Sequence, residues 1–264
     1  MINVRQLSKG LKTRSFGRKV YAFDSIDSTN TCARTMANAW APEGTLVIAE
    51  FQTAGRGRLG RPWNSNADQN LTFSVVLRPG KETESMNLLP LLAGIAVANA
   101  IREVTGQEPE CKWPNDILIN GKKVCGILLE GALSDNGVDF VVAGIGMNVN
   151  QTEFPADLSA SATSLRLICG REFNREEVLR TVLRHFEQLY QAEREEHFSS
   201  IPRLWVARSR MIGKTLEIHS NETTLAGTAL RIAPDGGLVI ATGSGEQTVY
   251  AGDVTVRPLD QPAP

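Results

Sequence analysis

Apolar residues fall into two kinds of run along this chain, and each predicts a different element. Short runs with few charges mark buried strands: TLVIAEFQ (45–52), LTFSVVLRP (71–79), KKVCGILLEGAL (122–133) and VDFVVAGIGMNVN (138–150). The last two flank the turn SDNG (134–137) and read as a β-hairpin. VYAFDSIDSTN (20–30) reads as a strand ending in a turn, and ECKWPNDILING (110–121) as strand, Pro-Asn-Asp turn, strand. Other segments have helical texture. LLPLLAGIAVANAIREV (88–104) is strongly apolar, which predicts a helix central to the core, with Pro90 confined to its first turn. From Asn174 to about Glu196, Val178, Leu179, Val182, Leu183, Phe186, Leu189 and Tyr190 recur at helical spacing, and Asn174 with Glu177 has capping-box spacing. A shorter helix over about 30–40, capped by Ser28 or Thr29, takes Met36, Ala37 and Trp40 as a partial apolar face. Residues 1–19 are polar and basic and suggest a short arm or helix.

After Arg203 the texture changes. Short strands alternate with Gly, Asp-Gly and Ser-Gly turns, as in a small β-barrel. A boundary near 205 divides the chain into a larger unit over 1–205 and a smaller one over 206–264. The expected class is α+β, a mixed β-sheet with packed helices followed by a small β-barrel.

Composition narrows the function classes. A net charge of −1 and a pI of about 6.3 lack the basic excess of a dedicated nucleic-acid binder. Cys32, Cys111, Cys125 and Cys169 form no C-x-x-C pair, and His185, His197 and His219 form no cluster, so a zinc or redox motif is not indicated. No apolar h-region follows the basic N-terminal segment and no run of 18 apolar residues occurs. The expectation is a cytoplasmic protein without a membrane partner.

Candidate chemistry concentrates in EFQTAGRGRLGRPW (50–63). GRGRLG fits G-x-G-x-x-G, but the contexts that give that pattern its usual meaning fail. A dinucleotide fold needs strand, glycine turn, helix; here the order is strand, loop, strand, and Gly80 stands where the ribose-binding carboxylate belongs. The H-R-D and D-F-G motifs of kinases and the Walker A motif are absent. What remains is a loop in which Gly55, Gly57 and Gly60 let the backbone approach a ligand and Arg56, Arg58 and Arg61 supply forked donors for an anion. A solvated basic loop is the alternative reading.

DSTN (27–30), the loop segment 50–63, KWPNDILINGKKVCGILLE (112–130) and GIGMNVN (144–150), in this order and spacing, resemble the catalytic domain of biotin–protein ligases, the biotin–[acetyl-CoA-carboxylase] ligases. The resemblance spans about 20–260. It implies a catalytic domain like that of class II aminoacyl-tRNA synthetases and an SH3-like C-terminal domain. Cys125 stands where Ala or Gly is commoner in the family. Some members carry an N-terminal winged helix-turn-helix and repress transcription; about 25 residues precede DSTN, so a ligase without the repressor role is expected. The family activates biotin with Mg-ATP to biotinyl-5′-AMP and pyrophosphate. It then transfers biotin to a lysine of a biotin carboxyl carrier protein. Mg²⁺ with ATP is the implied cofactor, with metal ligands unassigned.

The resemblance assigns roles residue by residue. Lys123 corresponds to the lysine bridging the biotin carboxyl and the α-phosphate, and is expected to be catalytic together with Arg58 and Asp116. Ser28, Thr29 and Gln52 would bind the ureido ring, with Gly55, Arg56, Arg58, Lys123 and Gly126 around biotin. Arg56, Arg58, Trp63, Asn115, Lys123 and Asn148 would surround the nucleotide, Trp63 as an adenine platform. The loop would order over the ligand. Asp116 is left with two readings, steadying the incoming amine or a Mg²⁺ water. Read without the resemblance, these are cap, turn and strand-end residues. Two rival classes stay open: a lipoate or octanoate relative, whose R-R-x-x-G-G-G-type motif is absent, and a ligand-sensing regulator. Strands 124–130 and 138–145 are candidates for a sheet-edge homodimer contact.

Overall fold

Seven strands form the first sheet, in the order β1-β2-β3-β7-β6-β5-β4. They are β1 (Val20–Ile26), β2 (Leu46–Gln52), β3 (Leu71–Leu77), β4 (Glu110–Lys112), β5 (Asp116–Ile119), β6 (Lys122–Ser134) and β7 (Gly137–Met147). β1 and β2 run parallel; every other pairing is antiparallel, so the sheet is mixed as expected. The computed structural model describes residues 1–81, 83, 85–219, 224–250 and 253–256.

Helices cover both faces of this sheet. On one side pack α3 (Ser85–Thr105) and α5 (Arg175–Glu195), with α1 (Val4–Lys9) and α6 (Ile201–Val206) against them. α3 is long and apolar enough to cross a bilayer by composition, but 67% of that window is buried in the protein core. The α5 stripe behaves as its periodicity predicts: Val178, Leu179, Val182, Leu183, Phe186 and Tyr190 are buried, each contributing about 1.5–3 kcal/mol if fully removed from water. Asn174 caps the helix by accepting from Glu177 N at 2.8 Å. On the other face α2 (Thr29–Asn38) lays Ala33 and Ala37 on Val47, Val76, Phe140 and Val142. A short α4 (Leu165–Cys169) follows β7, capped by Ser164.

The second sheet is antiparallel, in the order β11-β10-β9-β8-β12: β8 (Thr215–His219), β9 (Thr224–Ile232), β10 (Leu238–Thr242), β11 (Gly245–Val249) and β12 (Asp253–Val256). This matches the small C-terminal β-domain; the expected unit runs on through 257–264, which lie outside the described residues. The two lobes touch where Trp113 Nε1 donates to Gly236 O at 3.2 Å.

Four expectations need correction. Trp40 is not on the apolar face of α2: it lies past the helix end at φ 59°, is 84% exposed, and stands beside the Arg78 guanidinium. Pro90 is in the second turn, because α3 begins at Ser85; its missing N–H costs one internal bond, which burial of the helix offsets. Ser28 occupies the N-cap position of α2 but its side chain makes no cap bond. β7 lies inside the sheet between β3 and β6, so 138–145 is no edge. β5 pairs with β6 only over 122–126 and Asn115 takes the backbone of Ile127, which leaves an outer edge on β6 beyond Ile127.

Candidate active site

A cavity of about 480 Å³ opens on the sheet face between the glycine-arginine loop and the segment 153–162. Ser28, Thr29, Gln52, Arg56, Arg58, Trp63, Asn115, Asp116, Lys123, Gly126 and Asn148 all line it. Of the residues predicted from sequence, Gly55 and Gly60 are not among its lining groups.

The inner end is polar and buried. Gln52 ends β2, and its Oε1 accepts from Thr29 N at 2.7 Å and Thr29 Oγ1 at 3.0 Å. This turns the amide nitrogen of Gln52 away from Thr29 and leaves its donors for a guest. Behind this wall Ser74 Oγ lies 2.8 Å from Thr29 Oγ1 and 2.7 Å from Asn30 Oδ1. Asn30 Nδ2 in turn donates to Glu130 Oε2 at 2.7 Å. Ser28, Thr29, Asn30 and Ser74 are buried. The strand register makes room for them: a Cβ at Gly144 would fall 2.1 Å from Asn30 Oδ1.

The loop is a narrow hairpin. Gly57 N donates to Arg61 O at 2.7 Å and Trp63 N to Gly55 O at 2.9 Å, with a 3₁₀ turn at Arg58–Gly60. Leu59 and Gly60 take positive φ at this tip, which glycine adopts without strain. Arg56 Nη2 reaches Thr31 Oγ1 at 3.2 Å and Glu130 Oε1 at 3.5 Å. Arg58 Nη1 reaches Asn115 Oδ1 at 3.5 Å.

Trp63 turns back onto the sheet and covers β6 and β7 where both carry glycine. A Cβ at Gly146 would fall 2.2 Å from the indole, and one at Gly126 3.0 Å from the ring and from Lys123 Cε. A side chain at Gly126 would thus press on both Trp63 and Lys123, each of which would have to give by a few tenths of an ångström. Lys123 Nζ sits 2.6 Å from Asp116 Oδ1 and 5.6 Å from the Trp63 ring centre. Its backbone is gripped from outside, donating to Ser161 O and accepting from Thr163 N. Asn115 and Asn148 are tied to backbone, Asn115 Nδ2 to Ile127 O at 2.6 Å and Asn148 Nδ2 to Thr163 O at 3.0 Å.

The arrangement places fixed cations, one paired carboxylate and an aromatic ring at the outer end and neutral donors and acceptors at the inner end. It suits a ligand with a compact polar head and an anionic tail. The cysteines take no part: burial pushes the Cys111 thiol up to about 12 and Cys125 further. No group of three His, Cys, Asp or Glu side chains able to hold a metal occurs among the described residues.

Sequence reasoning gave no role to Asn30 and Glu130, though they end the segments DSTN and KWPNDILINGKKVCGILLE, and it missed Ser74, which lies in no motif. It also missed Thr72, a lining residue on β3 whose hydroxyl is buried without a partner, as is Trp63 Nε1. The glycines of GIGMNVN were visible as a motif, but their purpose, admitting Asn30 and Trp63, needs the register of β6 on β7.

Comparison with known proteins places these features in context. The biotin/lipoate A/B protein ligase family matches residues 22–148. A bifunctional ligase/repressor, BirA, of Bacillus subtilis is 40% identical over 93% of this chain and 76% of its own. The biotin–[acetyl-CoA-carboxylase] ligase of Paracoccus denitrificans is 32% identical over 86% of this chain and 96% of its own. Among solved structures, the biotin protein ligase of Aquifex aeolicus in complex with biotin and ATP superposes with a TM-score of 0.78 at 32% identity. It covers 91% of this chain and 99% of that one.

Proposed function

Because this chain belongs to the biotin/lipoate A/B protein ligase family, we propose that it is a biotin–protein ligase that forms an acyl-adenylate in the cavity and passes biotin to a lysine of a carrier protein. The observation that carries this reading is the polarity of the cavity: neutral hydrogen-bonding groups at one end, Lys123 and the loop arginines at the other.

Step one brings two anions together. The biotin carboxylate oxygen attacks the α-phosphorus of ATP, and pyrophosphate leaves. Arg56, Arg58 and Lys123 offset that repulsion, and Lys123 meets the charge that builds at the α-phosphate. Asp116 holds the Lys123 ammonium at 2.6 Å before an anion arrives, which favours a positioning role over steadying the incoming amine or a Mg²⁺ water. Thr29, Ser28 and Gln52 receive the ureido ring. Mg²⁺ enters with ATP as part of the substrate; the lining carboxylates are Asp116 and Glu153, and the nucleotide phosphates supply the other hard oxygen donors. In step two the neutral ε-amine of the acceptor lysine attacks the anhydride carbonyl carbon and AMP leaves. Closure of the loop over the adenylate keeps water from it in between.

Biotin-dependent exchange of pyrophosphate into ATP, with lipoate in parallel, tests step one. Exchange with biotin alone is expected. Exchange with lipoate alone would overturn the substrate, and none with either, in folded protein, would overturn the enzymatic reading. A ligase without a repressor role agrees with the net charge of −1; a gel shift at moderate salt checks it.

A further inference from the structure

Arg175 is the first residue of α5 and lies outside the cavity lining, yet it holds both feet of the glycine-arginine loop. Its Nη1 donates to Glu50 Oε2 at 2.7 Å and to Asn70 O at 3.0 Å. Its Nη2 donates to Glu50 Oε1 at 3.2 Å and Asp68 Oδ1 at 3.4 Å. Glu50 lies in β2 just before the loop leaves the sheet, and Asp68 and Asn70 lie where it returns to β3. The remaining capacity of the Glu50 carboxylate is taken by Ile2 N at 2.6 Å and Asp68 N at 2.9 Å. The Arg175 and Glu50 side chains are only 11% and 7% exposed.

The geometry is one that only a planar fork provides. Four directed bonds from one guanidinium set the separation of the two feet, whereas an ammonium could satisfy one foot at a time. The frame continues into the cavity. Asn70 Oδ1 accepts from Val149 N at 3.0 Å, and Asn70 Nδ2 donates to Gln151 Oε1, a lining residue. Arg175 thus ties the two feet of the hairpin bearing Arg56 and Arg58 to each other, while Thr53 N and Ala54 N hold the outgoing foot to Ile26 O and Asp27 O.

We infer that Arg175 is a positioning residue that fixes the base of the 53–67 loop so that its arginines close on, and retain, the acyl-adenylate. This rests on the reading of the cavity as an adenylate-forming site. A purely structural Arg175–Glu50 pair would lower stability and the active fraction but leave the retention of bound intermediate untouched. The positioning role moves retention first, since interactions that hold a formed complex act mainly on dissociation.

The test is the dissociation rate of biotinyl-5′-AMP from the full chain, well below each variant's melting temperature. Arg175→Ala is expected to release it about tenfold faster, while pyrophosphate exchange at saturating biotin and ATP falls less than about threefold. Arg175→Lys, which keeps charge but loses the fork, should lie between. If Arg175→Ala does not fold, Arg175→Lys carries the test alone. A folded variant with the wild-type dissociation rate overturns the inference. So does a loss of exchange as large as the loss of retention. A wild-type protein that forms no adenylate overturns the site reading and the inference together, and is recognised before any variant is made.

Discussion

At the scale of single residues the site is built from paired constraints. Lys123 is held by Asp116 on one side and by the Trp63 ring on the other, with Gly126 leaving the space both need. Its ammonium is therefore placed before any substrate arrives. Replacing Lys123 with alanine should lower biotin-dependent pyrophosphate exchange about 100- to 1000-fold. The side chain is partly exposed and its removal leaves no core cavity, so the thermal melt should stay close to wild type. Exchange at the wild-type rate would remove Lys123 from the mechanism. Read alone, Lys123 is a turn lysine at the start of a strand; residues of this kind were singled out in the sequence through the resemblance of their segments to a known family. Ser74 and Asn30 were not: a serine in a strand and an asparagine in a first helical turn are ordinary, and their connection spans β3, α2 and β6.

At the scale of elements, α5 anchors more than its apolar stripe suggests. Besides Arg175 it carries Glu187, a buried carboxylate that accepts from the backbone N–H groups of Arg14, Ser15 and Phe16 at 2.6, 2.6 and 2.9 Å. Burial pushes the Glu187 carboxyl up, but these donors and the Ser15 hydroxyl outweigh it and hold it below the ordinary glutamate value. A depressed carboxyl stabilises the fold fully above its unfolded value of about 4.3, and that stabilisation is lost as pH falls through the lower folded value. Glu187→Gln should cost about 1–3 kcal/mol near neutral pH, because a neutral amide cannot satisfy four donors. In urea melts the gap between the two proteins should hold constant down to about pH 5 and close in acid below about 4.3. A gap independent of pH would mean that the carboxylate charge is immaterial. The α5 helix itself was readable from period and cap. The loop conformation was not, since its shape depends on contacts at residues 68–70 and 175 that no local pattern encodes.

Over the whole molecule, the short strands and turns read in the C-terminal part form a small antiparallel sheet, after a mixed sheet with helices. Strand order was the part that local pattern could not supply. Strand 138–145 was a candidate sheet edge, but β3 pairs along the far side of β7. The same folding distributes the four tryptophans unequally. Trp113 and Trp205 are sealed in the core, Trp40 stands in solvent, and Trp63 alone roofs the cavity. The Trp63 indole has an unpaired N–H and an ammonium near its face, two features that govern how an excited indole relaxes. A guest that pairs that N–H or draws Lys123 away should change the emission of one tryptophan in four. Titrating unlabelled protein with biotin and ATP should give a saturable change in intrinsic fluorescence that Trp63→Phe abolishes. An identical change in that variant would assign the signal to another ring. By packing Trp63 on two glycines beside Lys123, the fold would report its own occupancy through one indole.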